Sequence, residues 1–408
     1  MSRAATGRDV YFKIICVNAQ SITNKSNRIE LILSSEDPDV LCVSETWCSD
    51  LNKDIFCFQN YNQVASYTRK DKCHGGVSIY IKYCLFCKPQ VFLNTMAEEL
   101  HFECCVTFSL KDGMCCLINI YRAPSGDIEI FVNKLYSCLN YCFKHFKTII
   151  LCGDFNIDYL KDSREKVLFT DLIQSFNLKC KNKEPTRIFT DKNGKTSKSK
   201  LDYFLTNWPH QYKETTKDFV LGDHLGLEVL LIDAKAETGQ DKTGQNVTFR
   251  NLSHSNVLNL QSSFSTEYFK EVYEFLDDVN LTFETFLRVL TYHIDISCPM
   301  TSKIIRNEPK NSWVTNDTVQ EGNDLRILFW LSNNLENIDM HLKYKEKKKQ
   351  YVKLIDEAKK SFFQNSLECK NTIQQKQKFI WRTVNNKTDR KTKMLSLNDS
   401  PRKPTSSA

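Results

Sequence analysis

The stretch Thr148–Asn156, TIILCGDFN, constrains the chain more than any other. Ile149, Ile150 and Leu151 make a short continuous apolar run, the pattern of a strand buried on both faces. Gly153 ends that run and lets the backbone turn. Asp154 and Asn156 follow, two apart, so strand alternation sets a carboxylate and a carboxamide on one side, with Phe155 pointing the other way. Such a pair suits aligning a water and holding a phosphate oxygen. In isolation the stretch reads first as an ordinary β-turn, because Gly, Asp and Asn are the commonest turn residues. The rest of the chain shifts that balance.

Other short apolar runs also end in polar residues. YFKIICVN predicts a strand over 11–18 that ends at Asn18, and a short amphipathic helix follows over 24–35. Val40–Val43 leads to Glu45. VSIYIK follows Gly75 and Gly76, and LHFECCVTFSL with GMCCLINIY predicts a hairpin that ends at Tyr121. Helical spacing marks 127–145 and 163–176, with a turn-rich segment over 181–200. The strand LDYFL carries Asp202, and DFVLGDHLGLEVLLI carries Asp223 and His224. Strands and helices alternate but hairpins intrude. The fold class is therefore α/β with mixed sheets, a two-layered β-sandwich flanked by helices and not a doubly wound parallel sheet. The expected organisation is a first domain over 1–232, a polar linker at 233–247, a helical C-terminal extension over 248–385 and a disordered basic tail at 386–408.

The composition, 41% hydrophobic and 26% charged over 408 residues, is that of a globular protein with room for two or three domains. No apolar run reaches the length of a membrane span, and MSRAATGRDVYFK lacks the apolar core of a signal peptide, so an intracellular protein is expected. The 17 cysteines are then not a disulfide framework. Those in strand-like segments (Cys16, Cys42, Cys104, Cys105, Cys115, Cys116 and Cys152) are expected to pack as small apolar residues. Cys84 and Cys87 form a CxxC beside Cys73 and His74, but a second ligand pair for zinc is missing. Charge is uneven: between 341 and 393, 16 Lys or Arg stand against 5 Asp or Glu. That stretch carries +11 and the remainder −4 of the +7 total. A basic helical tail is either a nucleic-acid contact or a solvated helix face.

Asn18, Glu45, Tyr121, Asp154, Asn156, Asp202, Asp223 and His224 are the parts for metal-assisted phosphodiester hydrolysis, since magnesium prefers carboxylate oxygens and keeps several waters. Individually each has a plainer role: a turn or cap residue, a solvated charge, a core aromatic. In chain order, however, Asn18, SETW with Glu45, NIY with Tyr121, GDFN, SKLD with Asp202 and GDH with His224 resemble the endonuclease/exonuclease/phosphatase family, which includes deoxyribonuclease I. NAQSITNK, GGVSIYIK and INIYRAPSG resemble most closely the endonuclease domain of non-LTR (LINE-type) retrotransposons. The resemblance spans about residues 11–232 and implies a deoxyribonuclease I-like sandwich.

It also implies roles. Glu45 would be the main magnesium ligand, with Asn18 and Asp223 near the metal and Mn²⁺ as an alternative ion. Asp154 would align or deprotonate the attacking water, and Asn156 would hold the phosphate. His224, oriented by Asp202, would contact the scissile phosphate, as would Tyr121. Thr186 corresponds to a DNA-contacting threonine. The implied activity is single-strand nicking of DNA that leaves a 3′-hydroxyl, and a nuclear location follows from it. The basic helices add RNA as a second candidate partner; no membrane partner is expected, and the oligomeric state is open.

Three positions differ from parts of the family pattern: Gly222 stands where serine is usual, Gln20 where repair enzymes carry an acid that many retrotransposon members also lack, and Ser125 where some relatives have asparagine. Residues 248–384 resemble the segment between endonuclease and reverse transcriptase. The chain thus resembles a fragment of a retrotransposon reading frame without polymerase motifs. Two alternatives remain: a phosphoesterase for lipid or small-molecule phosphoesters, and an inactive nucleic-acid-binding remnant.

Overall fold

Side-chain alternation along the first strand, β1 (Tyr11–Asn18), shows how the layers form. Ile14 and Cys16 face a second sheet, whereas Ile15 and Val17 face a helix. The computed structural model describes residues 11–49, 52–53, 56–70, 74–85, 87–109, 115–190, 196–232, 245–250, 253–274, 276–305, 313–334 and 338–388. The elements following β1 are α1 (Ser26–Glu36), β2 (Val40–Ser44), β3 (Tyr61–Tyr67), β4 (Val77–Lys82), β5 (Cys87–Pro89), α2 (Val91–Asn94), β6 (Glu103–Ser109) and β7 (Cys115–Tyr121). Next come α3 (Ile128–His145), β8 (Thr148–Asp154), α4 (Arg164–Ser175), β9 (Lys179–Cys180), β10 (Arg187–Thr190), β11 (Thr196–Ser199), β12 (Asp202–Thr206), β13 (Tyr212–Lys217) and β14 (Gly226–Ile232).

Two six-stranded sheets result, ordered β13-β14-β1-β2-β4-β3 and β5-β6-β7-β8-β12-β9. Each contains one parallel pair, β1 with β2 and β7 with β8, inside otherwise antiparallel neighbours. The helices that cross over within these pairs, α1 and α3, cover the outer faces. Between the sheets lie Cys16, Cys42, Val77, Ile79 and Val229 from one side and Cys105, Leu117, Ile150, Cys152 and Phe204 from the other. The outer face of the second sheet (Cys104, Ile118, Leu151, Tyr203) packs on Phe131, Leu135 and Leu139 of α3 and Phe169 of α4. This is the mixed two-sheet sandwich flanked by helices that the sequence pattern predicts.

Local differences have physical causes. Gly153 does not end its strand; β8 runs through Asp154. The glycine is required because a Cβ there would lie 1.9 Å from the Ile120 carbonyl oxygen of β7, at φ +125°. Asn156 is beyond the strand at φ +49°, and its N–H donates to Asp154 Oδ1 at 3.0 Å, so a turn and not strand alternation brings the two together. The turn-rich 181–200 segment contains the β10–β11 hairpin, whose strand residues are half-buried or exposed and carry no apolar alternation. In DFVLGDHLGLEVLLI only the part from Gly226 is strand; residues 218–225 form a loop.

Contacts sort the chain into two units, Met1–Glu237 with Pro309–Ala408, and Thr238–Glu308. The smaller unit holds an antiparallel pair, β15 (Gln245–Arg250) with β16 (Met300–Ile305), and the helices α5 (His254–Ser265), α6 (Lys270–Tyr273) and α7 (Val279–Ser297). Arg250 ties its strand to α7 through Asp295 at 2.6 Å. The larger unit also contains α8 (Asn316–Asn334), α9 (Ile338–Glu368) and α10 (Ile373–Thr388). Tyr344, Tyr351 and Ile355 of α9 share one helical face and are buried with Leu325 of α8, Trp313, Leu31 of α1 and Val220. Two aromatics of the basic stretch are thereby committed to packing. Residues 233–244 of the expected linker, 389–408 of the expected tail, and Cys73 lie outside the described residues. Among the described residues no helix is long and apolar enough to cross a membrane.

Candidate active site

Strand register assembles the site from both sheets. The parallel pairing of Asn18 with Ser44 sends Asn18 and the next residue, Glu45, out of the same edge of the first sheet. In the second sheet Asp154 lies opposite Tyr121 on β7 and Asp202 on β12, so these three form one row. The two edges meet at Asn18, whose Nδ2 donates to Glu45 Oε1 at 2.9 Å and to Asp154 Oδ2 at 2.8 Å. His224, on the loop before β14, sets Nδ1 2.9 Å from Asp202 Oδ2. Ligand atoms of Asp154, Asp202 and His224 all lie within 4.8 Å of one another.

The electrostatics follow from burial. Asp154 is fully buried, and desolvation, with the Asp202 charge next, pushes its carboxyl up to about 8. Burial alone would lower His224, but the charge and hydrogen bond of Asp202, with Asp154 and Asp223 behind, lift it to about 9. Burial, with Glu45 and Asp154 nearby, raises the Tyr121 phenol and keeps it a neutral donor. Asp223 is lowered despite desolvation, because Arg187 Nε donates to it at 2.7 Å and Gln20 Nε2 at 2.6 Å. Ionising Asp154 here carries a burial penalty that the charge of His224 only partly offsets. The oxygen donors gathered here, the carboxylates of Glu45 and Asp154 with the Asn18 carboxamide, fit a hard divalent cation, which would relieve that penalty.

Strained backbone concentrates here. Gln20, Glu45, Trp47 and Asn156 all have positive φ, between 44° and 52°. Glutamate in this region costs about 1–3 kcal/mol and persists only where the surroundings enforce it. Trp47 Nε1 donates to Glu45 Oε2 at 3.1 Å, and the N–H groups of Thr46 and Trp47 donate to the carbonyls of Gly76 and Gly75. The Gly75–Gly76 turn is held in turn by Glu103, which accepts from Gly76 N at 2.6 Å and from Arg69 Nε at 2.7 Å. Glu103 lies opposite Tyr121 in the β6–β7 ladder, so the Glu45 loop is referenced to the second sheet.

The structure therefore brings Asn18, Glu45, Tyr121, Asp154, Asn156, Asp202, Asp223 and His224 into one cluster. It places Thr186 elsewhere. Thr186 is fully buried, and its Oγ1 accepts the N–H groups of Leu201 and Asp202, both at 3.0 Å. It braces the Asp202 backbone from a buried position. Sequence reasoning missed the second layer of partners. Arg122, fully buried, donates to the carbonyls of Gly126, Phe155 and Asn156 and accepts from Asn156 Nδ2 through its own carbonyl. It sits inside the NIYRAPSG motif, where a lone arginine followed by Ala-Pro was the available signal. Gln20 and Trp47 stood inside the NAQSITNK and SETW motifs, but no spacing joined them or Arg187 to the acids they hold.

Two families match adjoining parts of the chain: the "Endonuclease/Exonuclease/phosphatase family" over residues 16–114 and "Endonuclease-reverse transcriptase" over residues 115–228. No curated protein matches the chain. Among solved structures, the endonuclease domain of TRAS1, a telomere-specific non-LTR retrotransposon, is similar at 14% identity and TM-score 0.45, covering 54% of this chain and 98% of that one. The AP endonuclease LMAP from Leishmania major is similar at 16% identity and TM-score 0.43, covering 54% and 88%. The 3′-5′ exonuclease NExo from Neisseria meningitidis is similar at 15% identity and TM-score 0.42, covering 53% and 98%. The two abutting family matches enclose the strand-end cluster, and residues 16–228 form a domain of the endonuclease/exonuclease/phosphatase family.

Proposed function

We propose that the chain is a divalent-metal-dependent DNA endonuclease that nicks one strand, leaving a 3′-hydroxyl and a 5′-phosphate. The observation that carries this reading is the Asn18 amide shared between Glu45 and Asp154, set beside the Asp202–His224 pair. Glu45 would hold Mg²⁺ (or Mn²⁺), with Asn18 and Asp223 close by. When bound, the ion supplies Lewis-acid polarisation of the phosphoryl oxygen and charge relief for the leaving oxygen.

The remaining work falls to the side chains. Asp154, whose proton affinity burial raises, is the carboxylate placed to take a proton from an attacking water once the cation offsets its charge. Water oxygen bonds to phosphorus and its proton goes to Asp154. The P–O3′ bond breaks, and the 3′ oxygen leaves with the bonding pair and takes a proton from solvent. His224 stays cationic beside Asp202 and stabilises the negative charge on the phosphoryl oxygens. Tyr121 donates its phenol hydrogen to the same group. Asn156 keeps one amide hydrogen on the Arg122 carbonyl and offers the second to the phosphate.

The test is incubation of the purified chain with supercoiled plasmid and Mg²⁺. Wild-type protein should convert supercoils to nicked circles, and EDTA, Asp154→Ala or His224→Ala should each abolish it. Supercoils that persist with the wild type, or nicking undiminished in either variant, would remove the reading.

A further inference from the structure

The loop that delivers Asp223 and His224 is held largely by α8 and α9. Asp218, at the start of the loop, accepts the Tyr344 hydroxyl on Oδ2, the Val220 N–H on Oδ1 at 2.7 Å, and Arg326 Nε of α8 on its carbonyl at 3.2 Å. Further along, the Gly222 carbonyl, one residue before Asp223, accepts Lys348 Nζ of α9 at 2.9 Å. Between them Val220 is buried at φ +61°, a conformation that a β-branched residue avoids unless its surroundings impose it. Those surroundings are Trp313, Leu325, Tyr344, Tyr351 and Ile355, all from the C-terminal segment, with Leu31 of α1.

The α8–α9 pair is itself anchored on α1. Lys359 Nζ pairs with Glu30 at 2.5 Å and donates to Asn27 at 2.8 Å, Trp313 Nε1 donates to Glu30 at 3.2 Å, and Arg326 pairs with Glu36 at 3.1 Å. Tyr344, Lys348, Tyr351, Ile355 and Lys359 recur at three- and four-residue helical spacings and so share one face of α9. That face grips the loop and α1 at once. On the other side of the loop, Leu225 N donates to the Thr186 carbonyl at 2.6 Å and Ile188 N to the Asp223 carbonyl at 3.3 Å. The loop is therefore clamped between the β10 strand and the C-terminal helices.

We propose that the α8–α9 hairpin is part of the catalytic apparatus, with Tyr344 and Lys348 as positioning residues that fix the 218–224 loop and so hold Asp223 in place and His224 against Asp202. This inference rests on the endonuclease reading for its kinetic part and on the structure alone for the clamp. Although Lys348 belongs to the most basic stretch of the chain, its ammonium is spent on the protein's own backbone and not on a phosphate.

The test uses the full chain as wild type, Tyr344→Phe, Lys348→Met and Lys348→Arg. Amide hydrogen exchange over 218–225 is followed without DNA, and single-turnover nicking of supercoiled plasmid is followed with Mg²⁺. Exchange of the loop amides should rise about tenfold in Tyr344→Phe and Lys348→Met while β8 and β12 stay as in wild type. The maximal nicking rate should fall about tenfold with the half-saturating DNA concentration moving less than about twofold, and Lys348→Arg should restore both. Loop exchange unchanged in Tyr344→Phe or Lys348→Met would overturn the proposal. So would a Lys348→Met variant that only raises the half-saturating DNA concentration and flattens its salt dependence, the signature of a phosphate contact. If the wild type does not nick at all, the endonuclease reading fails, and the exchange measurement still decides for or against the clamp.

Discussion

Gly222 and Gln20 face each other so closely that a Cβ at position 222 would lie 2.4 Å from Gln20 Oε1. The same glutamine donates Nε2 to Asp223 at 2.6 Å. Its side chain fills the space that any side chain at position 222 would need, so positions 20 and 222 are sterically coupled.

A serine at position 222 alone should therefore harm the site. In Gly222→Ser the glutamine tip must move and Asp223 keeps only Arg187, and nicking should fall about three- to tenfold. Adding Gln20→Ala to Gly222→Ser should recover part of the loss. Single-turnover rates of the four proteins close a double-mutant cycle, and strictly additive losses would contradict the coupling.

Arg122 should act on stability and rate together. Its guanidinium spans the carbonyls of Gly126, Phe155 and Asn156 from a fully buried position. Arg122→Met leaves those acceptors unpaired and should cost about 3–5 kcal/mol in urea unfolding. The pairing of Arg122 with Glu165 at 3.6 Å contributes little, because Glu165 is largely solvated. Arg122→Lys keeps charge without the planar fork and should fall between the two. A stability loss under about 1 kcal/mol in Arg122→Met would show that the loop carrying Asn156 holds itself.

Glu214, on β13, makes fold stability depend on pH. Burial lifts its carboxyl from 4.5 to about 7, with Lys200 partly opposing. The folded state thus binds this proton more tightly than the unfolded chain does. That stabilisation is complete below the unfolded value near 4.5 and is lost as pH rises through 7. Relative to Glu214→Gln, the wild type should lose on the order of 2 kcal/mol between pH 5 and pH 8. Urea midpoints of both proteins at the two pH values measure it, and parallel pH profiles would refute it.

Much of the architecture was visible in the chain because buried strands need apolar runs. YFKIICVN, VLCVS, VSIYIK and TIILCGD are strands with the expected polar residues at their ends. What escaped had no local signature. β13 reads YKETTK and β11 reads TSKS, because an edge strand can leave a face to solvent. The opposite error arose at Phe219, Val220 and Leu221, an apolar run that looks like strand. Val220 instead turns at φ +61° and sends its side chain to helices more than ninety positions away. For the site, the residues at the strand ends were legible through motif order. Their holders, Gln20 for Asp223, Trp47 for Glu45 and Arg122 for Asn156, depend on three-dimensional proximity that spacing does not encode.

Cys16 precedes Asn18 by two positions and Cys152 precedes Asp154 by two, and with Cys42 their sulfurs lie within 4.8 Å of one another between the sheets. By strand periodicity this sulfur layer sits directly beneath the Asn18–Asp154 hydrogen bond. It works as a shim whose thickness sets the gap between the two halves of the reacting centre. A bulkier side chain in place of any of these thiols would wedge the sandwich open from within and part the two halves without touching a residue that performs the chemistry.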